Sequence, residues 1–185
     1  DEAVCIYSVA DTTVNESDGS LTFTISRSKT LTGPQSVSYS VTSVGTTPAN
    51  LAATANPGID AYGVLSGNLI FAPSELSKTV SLSISDDGVF EQNEKLRLQL
   101  YGLTTPPDAA KTTISSYSGS ATATIVDNDQ AYFSISDSSG IESGTIVFNV
   151  TLSTPTDRPV SVDYTTSLRA TDSATPAAAK SSRRT

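Results

Sequence analysis

The stretch Ser85-Asp86-Asp87-Gly88-Val89-Phe90-Glu91-Gln92-Asn93-Glu94 closes one alternating apolar run, Val80, Leu82 and Ile84, and opens another, Leu96, Leu98 and Leu100. A period of two marks a strand with one buried face, so the stretch reads as the connection between two strands. It carries four carboxylates, on Asp86, Asp87, Glu91 and Glu94. Two ionised carboxylates about 4 Å apart repel by roughly 4 kcal/mol at an effective dielectric near 20. A cluster of this kind persists when water solvates it or when a cation neutralises it. The second reading points to calcium, which takes about six to eight oxygen ligands in flexible geometry, whereas magnesium keeps more of its water.

Outward from this connection the same alternation recurs in Leu21, Phe23 and Ile25, in Val37, Tyr39 and Val41, in Leu69 and Phe71, and in Ala121, Ala123 and Ile125. Gly, Pro, Asn, Asp and Ser cluster between the runs, and no segment shows a helical period. With the run that begins at Cys5, this predicts about seven strands over residues 5–126, arranged as an antiparallel sandwich of two packed sheets.

Composition excludes several classes of function. The 185 residues carry a net charge of −8, with no basic stripe before the extreme C-terminus, which argues against a nucleic-acid partner and favours cations. Histidine, methionine and tryptophan are absent, which removes the usual base of a nucleophilic pair and every imidazole metal ligand. Glu91 and Glu94 are the one pair that invites a glycosidase-like reading, but their acidic company looks like ligation. No catalytic constellation is expected. Cys5 stands alone in an apolar alternation and is expected to be a buried thiol. No run approaches the roughly 18 apolar residues of a membrane span. The opening Asp1-Glu2-Ala3 reads as a mature or excised fragment.

An internal repeat divides the chain. Cys5-Ile6-Tyr7-Ser8-Val9, Asn15-Glu16-Ser17 and Leu21-Thr22-Phe23-Thr24-Ile25 recur as Tyr132-Phe133-Ser134-Ile135, Ile141-Glu142-Ser143 and Ile146-Val147-Phe148-Asn149-Val150. Val160-Ser161-Val162-Asp163-Tyr164 then matches Val37-Ser38-Tyr39-Ser40-Val41 as a third strand, and the correspondence fades. The expected organisation is a complete module over residues 1–129, the first strands of an incomplete second module over 130–166, and an atypical basic tail over 167–185.

Four motifs in order give the first module a specific signature: Val14-Asn15-Glu16-Ser17-Asp18-Gly19; Gly58-Ile59-Asp60-Ala61-Tyr62 with Gly67-Asn68-Leu69-Ile70-Phe71; Ile84-Ser85-Asp86-Asp87 with Glu91 and Glu94; and Ala121-Thr122-Ala123-Thr124-Ile125-Val126-Asp127-Asn128-Asp129. Together they resemble the Calx-beta family, a calcium-binding sandwich repeat of sodium/calcium exchangers, an integrin subunit and many extracellular or cell-surface proteins. The resemblance implies an all-β, immunoglobulin-like antiparallel sandwich with Ca2+ at one end. Carried over by position, it nominates Glu16, Asp60, Asp86, Asp87, Glu91, Glu94, Asp127 and Asp129 as metal ligands, with a backbone carbonyl such as that of Val89 as a further donor.

This chain departs from the family pattern at Asn128, which replaces the middle acid of the closing triplet, and at Ala61, which interrupts an Asp-Tyr pair. Residues 45–57 and 102–117 read as long polar loops. In the second module Glu142 takes the early-glutamate position, but the later acids have no counterpart and no complete second site is expected. The resemblance implies a calcium-binding structural or adhesion module of a larger extracellular or cell-surface protein, in which calcium rigidifies one pole and the module junction. A regulatory calcium sensor of exchanger type is the alternative within the family. A further alternative is a self-assembling filament or matrix subunit, because three strands cannot close a sandwich and strand addition from another copy would cover the exposed edges. The sequons at Asn15 and Asn149 are short matches, and a glycan at Asn15 would crowd the acidic pole.

Overall fold

The computed structural model describes residues 4–53, 58–104 and 112–167. The chain divides into two compact units, Asp1–Asp129 and Gln130–Thr185.

The first unit contains β1 (Cys5–Val9), β2 (Thr12–Asn15), a single 3-10 turn (Glu16–Asp18), β3 (Ser20–Arg27), β4 (Gln35–Ser43), β5 (Leu51–Ala52), β6 (Ala61–Tyr62), β7 (Ser66–Phe71), β8 (Ser77–Ile84), β9 (Glu94–Leu103), β10 (Thr112–Ile114) and β11 (Ser120–Val126). They form two sheets, in the orders β10-β1-β3-β8-β6-β5 and β2-β11-β9-β4-β7. Pairing is antiparallel except for β1 with β10, β2 with β11 and β5 with β6. The seven runs of the sequence are β1, β3, β4, β7, β8, β9 and β11, and their alternation is the burial pattern observed. Leu21, Phe23 and Ile25 of β3 point inward with Val80, Leu82 and Ile84 of β8, against Val37, Tyr39 and Val41 of β4 and Leu96, Leu98 and Leu100 of β9. Each such side chain contributes about 1.5–3 kcal/mol by leaving water. Cys5 is a buried free thiol in this core.

The two segments expected as long polar loops hold more structure than their composition indicates. Within residues 45–57, Pro48 bridges Lys95, Ala49 is buried and β5 pairs with β6. Within 102–117, β10 adds an edge strand beside β1. Residues 54–57 and 105–111 of these loops, and the basic tail from 168 onward, lie outside the described residues.

At the far end of β3 a buried cation holds the chain reversal between β7 and β8. Arg27 donates through Nη2 to the carbonyls of Ala72 (2.6 Å) and Pro73 (2.7 Å) and through Nε to that of Glu75, with its guanidinium 5.5 Å from the Phe71 ring centroid. Tyr7 meets the same ring edge-on at 5.2 Å and donates its hydroxyl hydrogen to Gln35 Oε1 (2.9 Å).

In the second unit β12 (Phe133–Ile135) pairs antiparallel with β13 (Val150–Leu152). The expected third strand, residues 160–164, is not formed as a strand, and Val160, Val162 and Tyr164 are exposed. An alternating run becomes a strand only where a neighbour accepts its backbone hydrogen bonds.

Candidate metal centre

Register brings four separated loops to one end of the first unit. β2 and β11 finish together, with Asn15 opposite Val126, and β9 starts beside them, with Glu94 opposite Ile125. Ser20, at the start of β3, is opposite Ser83 near the end of β8, and Ala61 is opposite Ile84. The residues just beyond these strand ends are Glu16, Asp60, the segment Asp86 to Glu91, and Asp127 with Asp129.

Local chemistry fixes each carboxylate. Asn15 caps the 3-10 turn and donates its backbone N–H to Asp18 Oδ2 (2.8 Å), a reciprocal capping box. The turn ends at Gly19, whose φ of 68° lets its N–H reach the Glu16 carbonyl at 3.1 Å. Glu16 is thereby directed inward and is 5 % exposed. Asp60, 8 % exposed, accepts the Asn50 backbone N–H on Oδ2, while its own carbonyl accepts from Ser85 N at 3.0 Å and so tethers the start of the acidic connection. Asp87 Oδ1 accepts the Val89 N–H (2.9 Å), and Asp127 spans two loops by accepting from Glu91 N and Asp129 N, both at 2.9 Å.

Two carboxylate triads result. Glu16, Asp86 and Asp129 form one, and Asp60, Glu91 and Glu94 the other; within each, ligand oxygens lie within 4.8 Å of one another. Of the eight residues nominated by sequence, six fall in these triads. Asp87 and Asp127 do not, and they accept hydrogen bonds from backbone N–H groups that shape the loops. Asp18, Asn50 and Gly19 position this pole without belonging to the nominated set; the Asn15-to-Asp18 spacing was the available signal. Glu142 is exposed, and among the described residues both acidic groups belong to the first unit.

The electrostatics are those of crowded anions. Burial, and then the charges of Asp127, Glu91, Asp87 and Asp86, push the Glu16 carboxyl up to about 7 from an ordinary 4.5. Burial, followed by the hydrogen bond and charge of Asp60, holds Glu94 well above the usual carboxylate range. Each triad also contains a buried carboxylate oxygen without a hydrogen-bond partner, Asp129 Oδ2 in one and Glu94 Oε2 in the other. Native interiors rarely leave such atoms unsatisfied, and a hard cation satisfies them. The all-oxygen donor set fits calcium on this test.

The Calx-beta domain model matches residues 1–129. The chain belongs to the Calx-beta domain family. Among solved structures, this Calx-beta chain is similar to the apo-form Calx CBD1 domain, at 22 % identity and a TM-score of 0.52, over 68 % of this chain and 99 % of that one. It is similar to CBD12 from CALX1.2 at 22 % identity and 0.51, over 71 % and 49 % of the two chains, and to the Calx CBD2 domain at 18 % and 0.51, over 66 % and 86 %. At these identities the likeness carries the sandwich fold. No curated protein matches the chain.

Proposed function

We propose that the first unit is a calcium-binding structural module of an extracellular or cell-surface protein, with Glu16, Asp60, Asp86, Glu91, Glu94 and Asp129 as ligands and with Asp87 and Asp127 holding the loops or completing the shell. The observation that carries this reading is the pair of triads, each with one orphaned buried carboxylate oxygen. Bound calcium would offset the repulsion among the acids and join the loops that carry them. Asp127 and Asp129 end the first unit, so ligation there would also order the approach to Gln130. The reading assigns the protein no catalytic role.

The test is a calcium titration against chelator, followed by thermal unfolding, on the intact chain and on the Asp86→Asn/Asp87→Asn double variant. A ligand present at about 1,000 times its Kd stabilises the fold by about 4 kcal/mol. A rise in Tm that the double variant loses supports the site, and an unchanged Tm in both proteins overturns it. The same titration separates the structural role from a regulatory one of exchanger type, which the family membership and the position of two acids at the unit boundary also support. Among EF-hand proteins, extracellular modules bind calcium at about 10⁻⁴–10⁻³ M and sensors at about 10⁻⁷–10⁻⁵ M, and the same direction is expected here: weaker binding for a structural role, tighter for a sensor.

A further inference from the structure

The segment between β4 and β5 is polar in sequence, yet in the fold it crosses from one sheet to the other at the acidic pole. It leaves β4 at Ser43, opposite Leu96 of β9, and enters β5 at Leu51, opposite Ala61 of β6. On the β9 side it clasps the backbone around Glu94. Lys95 N–H donates to the Thr47 carbonyl (3.0 Å), and the Lys95 carbonyl accepts from Val44 N and Ala49 N, both at 3.1 Å. Thr47 Oγ1 donates to the Asn93 carbonyl (2.7 Å). On the β6 side Asn50 clasps Asp60: its carbonyl accepts from Asp60 N (3.0 Å) and Ala61 N (3.2 Å), and its own N–H donates to Asp60 Oδ2. Between the two clasps Ala49 is buried, and its carbonyl accepts from Ser43 Oγ.

Asp60 leads into one sheet and Glu94 begins a strand of the other, so their triad straddles the two sheets and one short segment grips both sides. The apolar packing that joins the sheets is non-directional, whereas hydrogen bonds at the crossing fix the gap across which these carboxylates face each other. Glu16, Asp86 and Asp129 are served by a different crossing, the 3-10 turn between β2 and β3, where the Gly19 carbonyl accepts from Ile84 N at 3.1 Å. We propose that residues 43–50 are a brace that sets the calcium affinity of Asp60, Glu91 and Glu94 and not that of the other triad, with Thr47 as its positioning residue. The proposal rests on the calcium reading above. Thr47 is singled out because its hydroxyl holds the carbonyl of the peptide that joins Asn93 to Glu94, and so orients a ligand without touching the ion. Groups that orient metal ligands in this way contribute about 10–100-fold to affinity.

The test is a calorimetric titration of the full chain with calcium chloride, with cooperative metal-free unfolding as the check that each variant is folded. Thr47→Val removes the hydroxyl at nearly constant shape and should weaken binding by about tenfold, while Thr47→Ser, which keeps the donor, should restore it. Thr47→Val is then repeated in the Glu16→Gln and Glu94→Gln backgrounds, each of which disables one triad. The loss should persist with Glu16→Gln and vanish with Glu94→Gln, because coupling is confined to residues that act on the same site. A residue that only stabilised the fold would weaken binding equally in both backgrounds. That result overturns the proposal, as does unchanged affinity in Thr47→Val. Complete loss of binding in Glu94→Gln alone overturns the separation of the two triads. An unaltered chain that binds no calcium overturns the calcium reading itself, a failure distinct from normal binding that ignores Thr47.

Discussion

Glu16 is both a candidate ligand and, without a cation, a source of instability. Its carboxyl titrates near 7 in the fold against an ordinary 4.5, so between these values the folded chain keeps a proton that the unfolded chain has released. Stability of the metal-free protein therefore falls as pH rises through this window, and the full loss, about 3 kcal/mol, is reached above pH 7. Glu94 is displaced in the same direction. Metal-free Tm measured at pH 5.5 and pH 8 should be higher at the acid end. Saturating calcium should remove that difference, with protons released on binding. Glu16→Gln should raise the metal-free Tm at pH 8 and weaken calcium binding by tenfold or more in a calorimetric titration. At the opposite end of β3, Arg27 is a planar donor matched to three carbonyls. Arg27→Met should destabilise by about 3 kcal/mol in urea unfolding, and Arg27→Lys should recover little because an ammonium cannot reproduce the fork.

At the scale of elements, the long strands were legible and the short ones were not. Alternation over five or more residues, as in β3 or β9, reports a buried face wherever the strand pairs. It says nothing about which sheet receives the strand. The break at Ala10 and Asp11, which sends β1 into one sheet and β2 into the other, leaves no trace in the period. β5, β6 and β10 have two or three residues each, too few to show a period; β10 and β6 pair along the longer β1 and β8, and β5 pairs with β6 in turn. Residues 160–164 show the converse, a good pattern that is not a strand in the structure. Turn chemistry was legible where backbone geometry demands it. Gly19 has a φ of 68° and open space where a Cβ would stand, so Gly19→Ala should cost only the backbone term, about 1 kcal/mol, seen as a lower urea midpoint at unchanged m-value. Phe23→Ala, in the fully buried row of β3, should cost about 3–5 kcal/mol by the same measurement.

Across the whole molecule, the acidic pole was legible because charge is conspicuous in sequence and strand ends can gather only at one of two ends. The grouping of those acids was not legible. That Glu16 meets Asp86 and Asp129, while Asp60 meets Glu91 and Glu94, depends on register and on backbone N–H groups that occupy Asp87 and Asp127. The parallel pairing of β2 with β11 has a further consequence. One strand lies near the entry of the first unit and the other at its exit, and Thr12 through Asn15 run alongside Ala123 through Val126. Tension applied to the two ends of this unit pulls parallel neighbours in opposite directions along their length. The load is then shared by all the hydrogen bonds of the pair in shear, instead of breaking them singly from one end. Glu16 follows β2 by one residue and Asp129 follows β11 by three, so an ion held between them would act as a rivet across the joint that bears the pull.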